Sequence, residues 1–176
     1  MHNLKIPILL LFGILLHACK QEKENTTNQG NITISGITYR DITGATGSID
    51  AEDWGIDKTW PTFITTKLMF TDTLDYTWNN DSATFSNMVA YPNPCTNIFS
   101  LALESTKPCI MKFIIVDGSA NMQSQGTVRL HSGFNAMSLD VSAPNFLSNN
   151  LYLMYYAFLD KSKTIYLKGH GDIKIN

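Results

Sequence analysis

Histidine, cysteine and clustered carboxylates are the side chains best equipped for chemistry, and this 176-residue chain uses them sparingly. Beyond its first twenty residues it has two histidines, His131 and His170. Neither stands at a spacing from Cys or Asp that would assemble a zinc site, and no Gly-x-Ser-x-Gly nucleophile elbow occurs. His170, set between Gly169 and Gly171, reads as a turn residue. Asp50, Glu52 and Asp53 could offer oxygen ligands to calcium, but their spacing is not that of an EF-hand loop, so a solvated acidic loop, continuing to Asp57, is expected. The expectation is therefore no catalytic residue, no metal and no cofactor. A net charge of −2 without a basic patch also argues against nucleic acid as a partner.

Aromatic rings carry the remaining chemistry. Trp54, Trp60, Tyr76 and Trp78 lie in a stretch poor in aliphatics. Flat rings displayed on loops can stack on a sugar face or anchor a protein partner. The same rings could instead be needed for that segment's own packing, which is the favoured reading. Tyr152, Tyr155 and Tyr156 read as sheet residues.

The N-terminus places the chain. Residues 6–16 are apolar and uncharged behind the single charge of Lys5, a length suited to a signal-peptide core and short of the roughly 20 residues a membrane span needs. Leu16-His17-Ala18-Cys19 resembles the lipobox of bacterial lipoproteins. That resemblance implies removal of residues 1–18, lipid attachment at Cys19, and a partner that is the membrane itself. Two or three acyl chains at about 0.8 kcal/mol per buried methylene anchor firmly. Residues 19–31 are polar and aperiodic, a flexible tether reaching about 40 Å when extended. Its Glu22 and Glu24 loosely resemble the short acidic signal that sends Bacteroidetes lipoproteins to the outside of the outer membrane, which implies an exported, surface-exposed outer-membrane lipoprotein.

Two regions must position any functional groups. A composition of 44% hydrophobic and 11% aromatic residues suffices for a real core. Residues 32–88 read as a small irregular segment packing on the sandwich formed by the rest of the chain: a strand over Ile32 to Tyr39, an acidic loop, a short helix from Thr59-Trp60-Pro61 to Met69, then polar linker from Thr77 to Asn87. Residues 89–176 show period-two segments at Ile98–Glu104, Cys109–Val116, Thr127–His131, Phe134–Val141, Leu151–Leu159, Thr164–Lys168 and Asp172–Ile175. Seven such strands separated by turn residues predict an all-β fold, an Ig-like antiparallel sandwich. Phe99, Leu101 and Leu103, then Met137, Leu139 and Val141, then Leu151, Leu153 and Tyr155 are the expected inward positions. The turn at Ser105 to Pro108 predicts a hairpin. In that hairpin Cys95 lies about 30 Å from Cys109 at about 3.3 Å per residue, whereas a bridge needs Cα atoms within about 7 Å. Free thiols are expected.

Tyr91-Pro92-Asn93-Pro94, the Val116-Asp117 turn, Gly133-Phe134-Asn135 leading into Met137 to Ser142, and Leu151-Tyr152-Leu153 together resemble the C-terminal sorting domain of type IX secretion cargo in Bacteroidetes. The likeness covers about half of the chain and implies an Ig-like sandwich. The chain departs from that family at Ala120, where glycine is usual, in lacking Gly before Tyr152, and in its ending, Gly169 to Asn176. Such a domain comes after a large passenger, whereas only about seventy residues separate Cys19 from this one. The expected function is accordingly a non-catalytic, lipid-anchored envelope protein whose sandwich acts as a binding or adhesive module for a protein or glycan. The alternative is a cargo or accessory component of type IX secretion.

Overall fold

The computed structural model describes residues 31–34, 36–79, 82–142 and 144–176. The expected signal peptide, Cys19 and the expected tether lie outside the described residues, apart from Asn31 at that tether's end. The described residues form nine strands and one helix: β1 (Arg40–Asp41), β2 (Gly44–Ala45), α1 (Thr62–Leu68), β3 (Phe85–Tyr91), β4 (Ile98–Ser105), β5 (Cys109–Asp117), β6 (Met122–Leu130), β7 (Gly133–Asp140), β8 (Leu151–Leu159) and β9 (Ile165–Lys174). Strands β1 and β2 form a small hairpin of their own. The other seven build an antiparallel β-sandwich, with sheets ordered β3-β4-β7 and β6-β5-β8-β9. This is an Ig-like arrangement: it differs from the constant-type order only in moving the fourth strand from the edge of one sheet to the edge of the other.

Two apolar clusters explain the layering. Between the sheets pack Phe99, Leu101 and Leu103 of β4, Met111, Phe113 and Ile115 of β5, and Tyr152, Met154, Tyr156 and Phe158 of β8. On the outer side of the four-stranded sheet, Ile110, Ile114, Val116, Leu153, Tyr155 and Leu159 pack against Ile64 and Leu68 of α1 and against Tyr76. Strands β5 and β8 are consequently buried on both faces. The expected inward trio of β8 is corrected here, because Leu153 and Tyr155 face the α1 layer and Leu151 is only half-buried. Both parities of β8 are apolar, so its alternation has no polar side from which to choose a face. The trio of β4 is inward as expected, and Met137 and Leu139 are half-buried against the same core.

Four local expectations change. First, β4 and β5 do not form a hairpin: β4 pairs with β3 and β7, β5 with β6 and β8, and residues 105–109 carry the chain from one sheet to the other. Ser105 Oγ donates to Lys107 O and Thr106 N to Thr84 O, fixing that crossing. Cys109 sits beside it, whereas Cys95 pairs with the C-terminal end at Ile175, and both thiols are free and buried. Second, the two segments expected around Gly169-His170-Gly171 are one continuous strand, β9, running antiparallel to β8 throughout. Third, β3 begins at Phe85, inside the stretch expected to be polar linker. Fourth, the described residues between Ile32 and Tyr39 are not in strand; Ile32 N donates to Gly118 O, and Ile32 and Ile34 cover the outer cluster.

The Tyr91-Pro92-Asn93-Pro94 stretch acts as a clasp. Asn93 is 1% exposed. Its amide donates to Thr38 O (3.1 Å) and Asp172 O (2.9 Å), and its Oδ1 accepts from Lys174 N (2.9 Å). One buried side chain thus ties the end of β3 to β9 and to the N-terminal segment, with each of its polar atoms satisfied.

Candidate functional site

Polar chemistry gathers along the outer edge of β9. Residues 53–57, an irregular turn, lie against that edge through two backbone bonds: Trp54 N donates to His170 O (2.8 Å) and Asp57 N to Lys168 O (2.8 Å). Asp53 accepts from Asp172 N through one oxygen (2.9 Å) and from Thr38 N through the other (2.8 Å). His170 Nδ1 lies 2.8 Å from Asp57 Oδ2, and the same oxygen accepts the indole N–H of Trp60 at 2.6 Å. The Asp57 hydrogen bond raises the His170 pKa against the opposing effect of burial. Burial first, then the charge of Asp53, pushes the carboxyl of Asp172 up to about 7. Asp53 is also raised by burial, partly offset by its two hydrogen bonds.

A histidine–carboxylate pair can itself act as an acid–base couple toward a water or substrate that reaches the other ring nitrogen. Asp57, the main-chain bonds of β9 and the ring of Tyr155 at 5.8 Å are what His170 meets. Together with the Asp53 and Trp54 bonds, this pair seats the acidic segment on the sheet as a latch. Among the described residues, no group of three or more His, Cys, Asp or Glu is placed to hold a metal ion.

The four aromatics singled out from sequence are not brought together. Trp54 is inserted between the sheets, stacked on Tyr156 (6.3 Å, 2°) and tilted on Phe99 (5.6 Å). The other three are spread over the opposite side of the four-stranded sheet. Trp60 meets Tyr155 edge-on at 5.3 Å, with Lys168 Nζ 5.5 Å above it. Tyr76 is buried, donates to Asp72 (2.8 Å) and carries Lys163 over its ring. Trp78, half-buried, meets His131 edge-on and Arg129 at 5.7 Å. Trp54 and Tyr76 thus have no free face for a ligand.

A different set of rings borders solvent. The β1–β2 hairpin stands against the outer face of β3-β4-β7 and leaves a groove of about 360 Å³. Val89 and Ala102, paired across β3 and β4, form its floor. Tyr91, Phe134 and the hairpin residue Ile42 border it, with Phe134 69% and Ile42 85% exposed. Asn87 donates to Glu104 (3.2 Å) within it, and Arg40 and Asp41 stand at its hairpin side. Asp41 holds the hairpin tip through Thr43 N and Oγ1, both at 2.6 Å, and those bonds lower its pKa. Apolar walls around a few fixed polar groups are the usual make-up of a recognition site. A wider cleft of about 620 Å³ opens between residues 36–51 and Leu151 with Lys174, but its walls are mostly loop.

The sequence reading missed this groove. A signal was present: Phe134 shares its parity in β7 with Ala136, Ser138 and Asp140, the solvent face, where a large ring has no core to fill.

Comparison with known proteins adds little. No family model matches the chain, and no curated protein matches it. Among solved structures, dimeric latent PorU from Porphyromonas gingivalis is similar at 11% identity with a TM-score of 0.41, covering 55% of this chain and 10% of that one. The CARDB domain of the PF1109 protein from Pyrococcus furiosus, in complex with di-metal ions, is similar at 8% identity with a TM-score of 0.33, covering 60% of this chain and 100% of that one. Likenesses this distant carry no argument about function.

Proposed function

We propose that the chain is a non-catalytic lipoprotein of the cell envelope, held on the outer membrane through Cys19, whose sandwich presents the groove beside the β1–β2 hairpin to a protein or glycan. One observation carries the binding part: Phe134, Tyr91 and Ile42 border solvent around the Asn87–Glu104 pair on a rigid sheet face. Phe134, Ile42 and the half-buried Tyr91 fall side by side, and a contiguous apolar patch rimmed by polar groups is what marks an interaction surface. The His170–Asp57 pair is taken up by the latch, which leaves the groove as the face open to a ligand.

The test has two arms. Metabolic labelling with a palmitate analogue should mark the wild-type chain and not Cys19→Ala, and protease added to whole cells should release the sandwich intact. Absence of label on the wild type would overturn the anchor. Purified protein should then be titrated against polysaccharide and protein fractions of the cell envelope, with Phe134→Ala weakening any binding by about tenfold or more. Binding unchanged in Phe134→Ala would overturn the groove, and surface protein lacking β3 to β9 would favour the type IX cargo alternative.

A further inference from the structure

The two sheets present four edge strands, and three of them are managed. The edge of β9 is covered by residues 53–57 and by the Cys95 bridge to Ile175. Strand β3 is irregular between Ser86 and Val89, and Arg40 of the hairpin bridges Asn93 just beyond its end. Strand β6 is irregular where it meets Val116, and it carries Arg129 beneath Trp78. Bulges, charges and covering segments are the devices by which sheets prevent edge-to-edge pairing.

Strand β7 carries none of these itself, and its neighbour across a gap of about 50 Å³ at Asn135 to Met137 is the Val128 to Leu130 stretch of β6, which does not hydrogen-bond to it. It pairs with β4 over all eight residues, Gly133 to Asp140, without a register shift, and no charge or proline occurs before Asp140. The Asn135 amide caps Gly133 O and His131 O at its start. From Ala136 onward, no described residue outside β4 hydrogen-bonds its backbone. Ala136 and Ser138 are exposed, and Phe134 beside them is 69% exposed.

We propose that the free edge of β7 pairs, antiparallel and about a two-fold axis, with β7 of a second copy of this chain, joining two three-stranded sheets into one of six strands. The strand is complementary to itself. Antiparallel pairing must keep each side chain on its own face, so the positions of a partnered pair share parity. Placing Ala136 on the axis sets it opposite its own copy, Phe134 opposite Ser138 and Asn135 opposite Met137. Small residues then meet at the centre, each exposed ring gains a neighbour, and Asp140 meets no acid. A closed two-fold contact uses the same strand twice and leaves no further edge to propagate. The chain's net charge of −2 opposes such association only weakly. The inference needs neither the lipid anchor nor the groove, since Ala136 does not line the groove.

Ala136→Cys in the full chain, oxidised in intact cells with copper-phenanthroline, should form a disulfide-linked species of twice the monomer mass. Gln125→Cys, an exposed position on β6, should form at least about tenfold less. Ala136→Lys and Ala136→Glu should each weaken self-association by about tenfold or more, because like charges then oppose one another across the axis. An equimolar mixture of the two should restore it. Equal cross-linking at positions 136 and 125, cross-linking of Ala136→Cys only to a different protein, or a charge-swapped mixture no better than either variant alone would each overturn self-pairing. All three substitutions at position 136 fall on a solvent-facing site, so circular dichroism indistinguishable from wild type is expected for each.

Discussion

Replacing Gly171 by alanine should be severe in the native chain and harmless once Trp54 is gone. A Cβ at Gly171 would stand 2.2 Å from two carbons of the Trp54 ring, where contact between carbons is comfortable at about 3.5 Å or more. The ring would have to retreat by roughly 1.3 Å. It cannot, because Tyr156 is stacked on it and Phe99 lies tilted at 5.6 Å. Expulsion of the ring forfeits much of what Trp54→Ala forfeits, about 3–5 kcal/mol for a buried tryptophan. In Trp54→Ala the clash disappears, and alanine in place of a strand glycine is then neutral or gains about 0.5–1 kcal/mol.

Urea unfolding of the four proteins, followed by far-ultraviolet circular dichroism, measures the cycle. Gly171→Ala alone should lower stability by about 3 kcal/mol, a fall of about 1–3 M in midpoint at a typical slope. The same substitution in Trp54→Ala should leave the midpoint unchanged or raise it. The coupling energy should therefore approach 3 kcal/mol, at the upper end for residues in contact. An equal loss in both backgrounds would refute the reasoning, because Gly171 would then be required by the strand rather than by the ring.

Asn93→Ala should cost about 3 kcal/mol in the same assay, since three backbone groups, two of them fully buried, lose their partner. Lys112, 3% exposed in the centre of β5, lies 2.8 Å from Asp72 and also donates to Phe70 O. Lys112→Met should cost about 3 kcal/mol by leaving the Asp72 carboxylate unpaired. Adding Asp72→Asn, whose Oδ1 still accepts from Leu74 N while its amide donates to the Tyr76 hydroxyl oxygen, should recover most of that loss. Stability should also fall as pH rises. The Asp172 carboxyl is raised from 3.8 to about 7, so its burial penalty grows from about pH 4 and is complete above about pH 7. The raised His170 contributes stability below its ordinary 6.5 that is lost as pH passes its higher folded value. Both groups act in the same direction, so the melting temperature should drop between about pH 5 and 8. Asp172→Asn should raise it by a few degrees at about pH 8 and flatten the profile.

How much of the fold was legible depended on where the determining contact lay. Strand β8 reads correctly from Leu151 to Leu159 because its turns are local, and α1 is recognisable from Pro61 at its entry. Gly169-His170-Gly171 misleads because a Gly-X-Gly triplet locally resembles a turn. The missing side chains make room for Gly55 and Trp54, more than a hundred residues upstream, and for Tyr156 on the neighbouring strand. The β4–β5 hairpin misleads similarly: two alternating strands joined by a short turn fit a hairpin and a sheet-to-sheet crossing equally well. Phe134 was readable by parity, whereas Tyr91 borders a groove only because β1, with its hairpin, stands against β3.

The segment of residues 36–79 acts on the sandwich from two sides. It delivers Trp54 into the space between the sheets, through the opening that Gly171 leaves, and it lays α1 and Tyr76 over the outside of β5 and β8. Lys112 shows why both contacts belong to one fold. An ammonium in the middle of a central strand is tolerable only under a lid that supplies a carboxylate and a carbonyl, and Asp72 and Phe70 supply them. Strands β5 and β8 could not be apolar on both parities in a bare two-layer sandwich, because one face would meet water. With that outer face of the four-stranded sheet covered, the opposite sheet, β3-β4-β7, is the one left facing solvent. Its outer face bears the groove and its β7 edge is open, so recognition and self-pairing fall on the sheet that the N-terminal segment does not use for packing.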